Sequence, residues 1–290
     1  MGSAMAINLQ KHLQGQGRAL HVHNRTKEKA APVVRQGAQW ADSPAELAAT
    51  CNVVFSVMAN DEALLAVFES YLSGHPKPGS VFVDCSTVYP STTEELVRKA
   101  QQAGVQYVAS PVFGRPDAAA AKKLLVVSAG ASDAKARVQP YQEAMGRGVL
   151  DVGEAPHLAN VLKLTGNFYI SSFIEVLAEG MTLADKNGLS REHVLAMVNG
   201  LFPSPIIAGY AERMAKDQFE STPENPGFSV TGGIKDLGHI TRLGRDSQAP
   251  LPIAELTLQH LKEQEGGGHG DLDWGALTLS IRKAAGMHAP

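Results

Sequence analysis

Lys163 and Asn167 stand four residues apart in an apolar stretch, a spacing that sets an amine and an amide on one face of a helix. An amine held among apolar side chains is disfavoured as the ammonium, and such a lysine can give or take a proton near neutral pH. The competing reading is a lysine whose stem lies along apolar surface while its head reaches water. Lys235-Asp236-Leu237 follows Gly232-Gly233 and sets a second cation at the start of another helical pattern; taken alone it reads as a surface ion pair.

Other chemistry-bearing residues fall where short apolar runs end. Ala19 to His23 runs into Asn24-Arg25-Thr26. At that position in a dinucleotide-binding sheet an acidic side chain takes the ribose 2′-hydroxyl, whereas an arginine neutralises a 2′-phosphate, so Arg25 predicts NADP rather than NAD. Val57-Met58-Ala59-Asn60-Asp61 and Cys85-Ser86-Thr87 end two further runs and offer backbone and hydroxyl groups to a shared crevice, Asn60 or Asp61 alternatively capping the next helix. Ser110-Pro111-Val112-Phe113-Gly114-Arg115-Pro116 reads as a loop at another strand end; Arg115 either takes a carboxylate with its two-pronged fork or is a solvated loop residue. His21 and His23 share a strand face, but no third metal ligand is spaced to join them.

The elements that would position these groups follow from periodicity. β-type runs at Ala19 to His23, Ala38 to Ala41, Val53 to Val57, Val81 to Asp84, Val105 to Ala109, Leu124 to Ser128 and Val149 to Val152 alternate with helical segments. That pattern predicts a doubly wound, Rossmann-type parallel sheet with helices on both faces. Ser43 before Pro44, and Ser91 with Glu94 three residues on, are helix-start signals; Gly104 closes the second of these helices. After Gly153 the β signals stop. His157 to Asn187 reads as one helix of about 45 Å ending at Gly188, apolar nearly all round and therefore expected to be buried on several sides. Helices follow near Arg191 to Gly200, Ile207 to Phe219, Ile234 to Arg245, Pro252 to Glu265 and Asp273 to Ala285, with Gly266 to Gly268 as a flexible link. The division expected is residues 1–152, α/β, and residues 153–290, all-helical, with chemistry where the two halves meet.

Composition narrows the function classes. The chain has 290 residues, 44% hydrophobic and 19% charged, enough apolar material for two cores. Its formal net charge of −3 provides no basic surface for nucleic acid or anionic membrane. No apolar stretch is long enough to span a bilayer. Two cysteines, Cys51 and Cys85, without metal-ligand spacing, read as small buried hydrophobes in a reducing, cytoplasmic setting; a mitochondrial address upstream is left open.

Taken together, these residues resemble the β-hydroxyacid dehydrogenase family of the 6-phosphogluconate dehydrogenase superfamily. That group includes 3-hydroxyisobutyrate dehydrogenase, tartronate semialdehyde reductase and glyoxylate/succinic semialdehyde reductases. Met1-Gly2-x-x-Met5-Ala6-x-Asn8-Leu9 resembles the tail of the family's cofactor fingerprint, with Gly2 as its last glycine, and Asn24-Arg25-Thr26 resembles its NADP-type strand end. Ser86-Thr87 resembles its cofactor-contacting pair, Lys163-Leu164-x-x-Asn167 its catalytic K-L-x-x-N, and Lys235-Asp236-Leu237 its second cofactor motif. The resemblance implies NADPH as cofactor, a hydroxy acid or alcohol interconverted with its semialdehyde or carbonyl partner, and Lys163 as acid/base. It also implies that Asn167 steadies the substrate oxygen or the lysine, that Lys235 closes over the cofactor, and that helical domains join copies into dimers or tetramers.

Two departures stand out. The family loop usually reads D-A-P-V-S-G-G, whereas Ala109-Ser110-Pro111-Val112-Phe113-Gly114-Arg115 replaces a hydroxyl donor by Phe113. Either Arg115 supplies the anion site or the substrate is less polar than a small hydroxy acid; Ser110, Phe113, Gly114 and Arg115 are the candidate substrate contacts. The first strand and the leading G-x-G are also not seen ahead of Met1-Gly2, and Met-Gly-Ser can alternatively be read as an appended leader. That strand is central in a doubly wound sheet, so two unpaired inner edges and weak cofactor binding are expected. Imine reductase chemistry on the same architecture, or a non-catalytic dimeric binding protein, are the alternative readings; Lys163 counts against the first, and retained Lys163, Asn167 and Lys235 against the second.

Overall fold

Ser43 accepts a hydrogen bond from the Glu46 amide, Asn60 from the Ala63 amide, and Pro44 occupies the first helical position, so two helix starts follow directly from capping chemistry. The protein is described by a computed structural model covering residues 1–222 and 226–287. In chain order the first unit holds α1 (Gly2–Gln14), β1 (His21–Val22), α2 (Ala31–Val34), β2 (Gln39–Trp40), α3 (Pro44–Thr50), β3 (Val53–Ser56), α4 (Asp61–Ser73) and β4 (Val81–Asp84). It continues with α5 (Pro90–Gln102), β5 (Gln106–Ala109), β6 (Val112–Phe113), α6 (Pro116–Ala120), β7 (Leu124–Gly130), α7 (Ser132–Met145) and β8 (Gly146–Asp151). Next come α8 (His157–Lys186), α9 (Arg191–Leu201), α10 (Pro205–Ala215), α11 (Val230–Asp246), α12 (Pro252–Gly266) and α13 (Thr278–Ala284). By its internal contacts the chain divides into two compact units, Met1–Lys163 and Leu164–Pro290, with the division inside α8.

Within the first unit the strands form two sheets. β1 and β2 pair in parallel as a separate ribbon, and the main sheet runs β3-β4-β5-β7-β6 with β8 beside β7. β3, β4 and β5 are parallel, β7 is antiparallel to both β5 and β6, and β8 is parallel to β7. Strand alternation sends Phe55 into a core with Met5, Leu9 and Met145, while Val54 joins Ala48, Leu64 and Phe68 on the other face. Helices thus cover both faces, as the α/β alternation predicts.

Several expectations are corrected. Ser91 and Glu94 do not make a capping box: the helix starts two residues earlier than that box requires, at Pro90 after Tyr89, and has no side-chain cap. Residues 110–116 are not all loop, because Val112 and Phe113 form a short strand on β7. It ends at Gly114, where φ is +137° and an added Cβ would lie 2.6 Å from Leu124 Cδ2. The helix placed at Ile207 to Phe219 is Pro205–Ala215, and Asp273 to Ala285 divides into a 3-10 turn, Trp274–Leu277, and α13. Gly266 is the last residue of α12 and Gly267 its cap, so the glycine run terminates a helix rather than linking two freely. Cys85 is buried, but Cys51 is only half-buried.

The helical unit packs Ile174 and Met181 of α8, Met214 of α10, Leu237 and Ile240 of α11 and Leu261 of α12 around Trp274, whose indole N–H donates to the Tyr210 hydroxyl at 2.8 Å. α8 is not buried all round: Tyr169, Phe173, Val176 and Leu183 are 46–68% exposed. Among the described residues no helix is long and apolar enough to cross a membrane.

Candidate active site

In the first unit, the ends of β3 and β4 are tied by a buried carboxylate. Asp84 Oδ1 accepts from the hydroxyls of Ser56 (2.7 Å) and Ser86 (2.6 Å) and from the Ser86 amide (3.1 Å). Burial pushes the Asp84 carboxyl above its usual range against the opposing pull of those donors. The Ser86 hydroxyl in turn accepts from the Met58 amide at 2.8 Å, so Asp84 fixes the Met58-Ala59 turn beside half-buried Thr87. Asp61 Oδ1 accepts from the Tyr89 amide and the Thr92 hydroxyl, which anchors the start of α5.

The next strand end carries the expected substrate residues. Ser110 is fully buried; its hydroxyl accepts from Gln142 Nε2 at 2.9 Å, and its amide donates to the Asp84 carbonyl. The fold therefore turns Ser110 inward. Phe113 is half-buried, Gly114 exposed, and Arg115 half-buried at the start of α6. Lys163, 8% exposed, holds its Nζ 4.3 Å from the centre of the Phe113 ring, within cation–π range. The sequence-predicted lysine and the loop aromatic that departs from the family pattern are thus brought together.

In the second unit, Asn167 lies one helical turn along α8 from Lys163 and is buried. Its Nδ2 donates to Asp236 Oδ2 at 2.6 Å, and Asp236 Oδ1 pairs with Lys235 Nζ at 2.7 Å. Asp236 is 1% exposed and the Lys235 side chain 25% exposed. Asp236 therefore joins two residues predicted independently. Its position between Lys235 and Leu237 in a shared motif was the available signal. Asp84, Gln142 and Asp61 were missed as positioning groups; the only trace of Asp84 is an acid closing the apolar run Val81-Phe82-Val83.

Besides Met58, Ala59, Thr87 and Lys235, the residues expected to hold a dinucleotide are Gly2 of α1 and Asn24, Arg25 and Thr26 after β1. Asn24 Nδ2 donates to the Thr26 carbonyl at 2.7 Å and closes the turn after β1. Arg25, Lys27 and Lys29 are exposed there, with Lys27 Nζ 5.0 Å from the Trp40 ring centre. This cationic donor set fits a phosphate-bearing cofactor. At Gly2 an added Cβ would meet Val57 Cβ at 3.8 Å, an ordinary contact, so packing within the chain does not by itself demand glycine.

An α/β unit with cation-bearing strand ends, followed by a helical unit carrying an Asn–Asp–Lys cluster, defines the class of two-unit dinucleotide-binding oxidoreductases. A family profile described as the NAD binding domain of 6-phosphogluconate dehydrogenase matches residues 1–153, and one described as NAD-binding of NADP-dependent 3-hydroxyisobutyrate dehydrogenase matches residues 158–279. The chain belongs to this family of NAD(P)-binding hydroxy-acid dehydrogenases. It is 34% identical to the uncharacterized oxidoreductase YfjR of Bacillus subtilis (strain 168), over 97% of this chain and 96% of that protein. It is 29% identical to the NADH-dependent oxidoreductase ucdB of Aspergillus ustus, over 99% and 98%. Among solved structures it is similar in fold to Mycobacterium tuberculosis 3-hydroxyisobutyrate dehydrogenase, with a TM-score of 0.84 and 23% identity over 97% of this chain and 96% of that one.

Proposed function

We propose that the protein is an NADP-dependent oxidoreductase that interconverts a small hydroxy acid or alcohol with its semialdehyde or carbonyl partner, using Lys163 as acid/base. The observation that carries the reading is Lys163 itself: buried, poised over the Phe113 ring, and one helical turn ahead of an Asn167 already fixed by Asp236. A reduced nicotinamide, when bound, supplies the hydride. Lys163 gives a proton to the carbonyl oxygen in reduction and takes it back in oxidation. Asp236 fixes the Asn167 amide, and Asn167 steadies the substrate oxygen or the lysine.

The NADP preference rests on Arg25, Lys27 and Lys29 after β1, with no acidic residue in Asn24-Arg25-Thr26. Gly2, Met58, Ala59 and Thr87 would line the rest of the cofactor, and Lys235 would reach it from α11. Phe113 presents an aromatic wall where the family loop has a hydroxyl, which favours substrates with a small apolar body. The exposed Tyr169, Phe173, Val176 and Leu183 of α8 are the surface on which a second copy would pack, giving a homodimer or a tetramer built from it.

The test is NADPH oxidation across a panel of semialdehydes, 2-oxo acids and imines, with NADPH binding followed by fluorescence. Lys163→Ala is expected to lower kcat at least about 100-fold while leaving NADPH affinity within a few-fold. Undiminished turnover in that variant overturns the assignment of Lys163, and imine turnover exceeding that of every aldehyde and 2-oxo acid overturns the substrate class.

A further inference from the structure

Phe113 is fixed by its surroundings before any ligand is considered. On β6 it pairs with Leu125 of β7 in antiparallel register. Strand alternation sends Val112 into the core with Met5 and Leu124 and turns Phe113 to the opposite face, where it packs against the core that contains Tyr107 and Ala159. Leu162, the residue before Lys163, packs against that same core. Gly114 sets the turn that follows: its positive φ strains any side chain, and an added Cβ would lie 3.2 Å from Ala118 Cβ besides meeting Leu124. The ring is thus part of the scaffold, and the Lys163 Nζ lies over it at 4.3 Å from its centre.

We propose that Phe113 is the positioning residue of Lys163: its ring face holds the ammonium where the proton is to be transferred. The proposal rests on the reading of Lys163 as acid/base and gives Phe113 a task beyond that of a wall for the substrate. Lys163 is 8% exposed, so its ammonium has lost most of its water, and the electron-rich face of a benzene ring offsets part of that loss where an aliphatic side chain would not. The four-carbon stem of a lysine has wide rotamer freedom, and a fixed aromatic target selects the rotamers that bring Nζ over it, so the amine is oriented before the substrate arrives. A hydroxyl or carboxylate in the same place would accept a hydrogen bond and compete for the proton, whereas a benzene ring is not a base and leaves that proton to the carbonyl oxygen. In reduction the carbonyl carbon receives the hydride of the reduced nicotinamide, the Nζ–H bond breaks as the O–H bond forms, and Lys163 is left a neutral amine; oxidation returns the proton to it. The ring gains and loses nothing.

The test keeps the size of the ring and weakens its face. Phenylalanine carrying one, two or three ring fluorines is placed at position 113 of the full chain, beside Phe113→Tyr, which keeps the face, and Phe113→Leu, which removes it. In the free protein the ε-methylene protons of Lys163, assigned by their loss in Lys163→Ala, are expected upfield of those of the other lysines through the ring current, and to lose that displacement in Phe113→Leu. With the fastest carbonyl compound of the NADPH panel, kcat is expected to fall stepwise with each fluorine, by about 3- to 30-fold at three and in Phe113→Leu, and to stay within about twofold in Phe113→Tyr. KM and NADPH affinity in the fluorinated proteins are expected to stay within about twofold, which a change in the shape of the site would not allow. Absence of the upfield displacement, or an unchanged kcat across the fluorinated proteins while Lys163→Ala abolishes turnover, overturns the proposal alone. Turnover that survives in Lys163→Ala, or is absent throughout the panel, overturns the acid/base reading and this proposal with it.

Discussion

Removing the Asp236 carboxylate isolates the cluster in the helical unit. In Asp236→Ala the Asn167 amide, buried and donating at 2.6 Å, loses its acceptor, and Lys235 loses its 2.7 Å partner. A hydrogen bond to a charged group contributes about 1.5–3 kcal/mol. The Lys235 pair, with one partner a quarter exposed, adds only about 0.5 kcal/mol after solvent screening. The expected loss is about 3 kcal/mol for Asp236→Ala and about 2 kcal/mol for Asn167→Ala, which leaves the carboxylate its lysine. The double variant should lose about 3.5 kcal/mol, since the shared bond can be removed only once, giving a coupling of about 1.5 kcal/mol. Trp274, buried in the same unit, provides the signal for urea unfolding in a Trp40→Phe background. Strict additivity within about 0.3 kcal/mol would refute the claim that Asp236 holds Asn167.

Asp84 gives a pH signature. Its native carboxyl is raised above an ordinary value of 3.8, so the folded state keeps a proton that the unfolded chain releases. The contribution is fully present below about pH 4 and is lost as pH rises through the native value; Asp84→Asn should flatten that decline in thermal melts taken as pH rises above about 4. Arg25→Glu is expected to lower NADPH affinity at least about tenfold with little change for NADH, measured by titrating both cofactors; an equal loss for the two would remove the phosphate role. On α8, Val176→Lys should convert an oligomer to monomer in sedimentation at micromolar concentration, and an unchanged sedimentation coefficient would move the subunit contact off this face.

The α/β half was legible because β-branched runs and helix starts repeat at regular spacing, and because Ser43 and Pro44 act locally. Ser91 misled for the same reason: its type favours a cap, but Pro90 fixes the first turn two residues earlier, beyond the reach of pattern alone. The strand at Val112 and Phe113 was hidden because two residues carry no period, and only pairing with β7 gives them a conformation. α8 showed its length plainly, and its all-round apolarity predicted burial on several sides; within one chain Tyr169, Phe173, Val176 and Leu183 are left facing outward. For the site, Lys163, Asn167 and Lys235 were readable from spacing and resemblance. Asp84 was not, and Asp236 showed only as the middle of the Lys235-Asp236-Leu237 motif, since a buried acid shows its role only through donors brought from elsewhere: Ser56 from 28 residues away and Asn167 from 69.

The half-buried Cys51 lines a cavity of about 530 Å³ in the first unit together with Leu9, Leu13, Leu47 and Met145, whereas burial and neighbouring Asp84 push the enclosed Cys85 thiol up and out of reach of alkylating reagents. The molecule thereby carries its own chemically addressable sulfur at one defined spot. A spin label or fluorophore attached there without any engineering would register occupation of that cavity as a change in tumbling or emission.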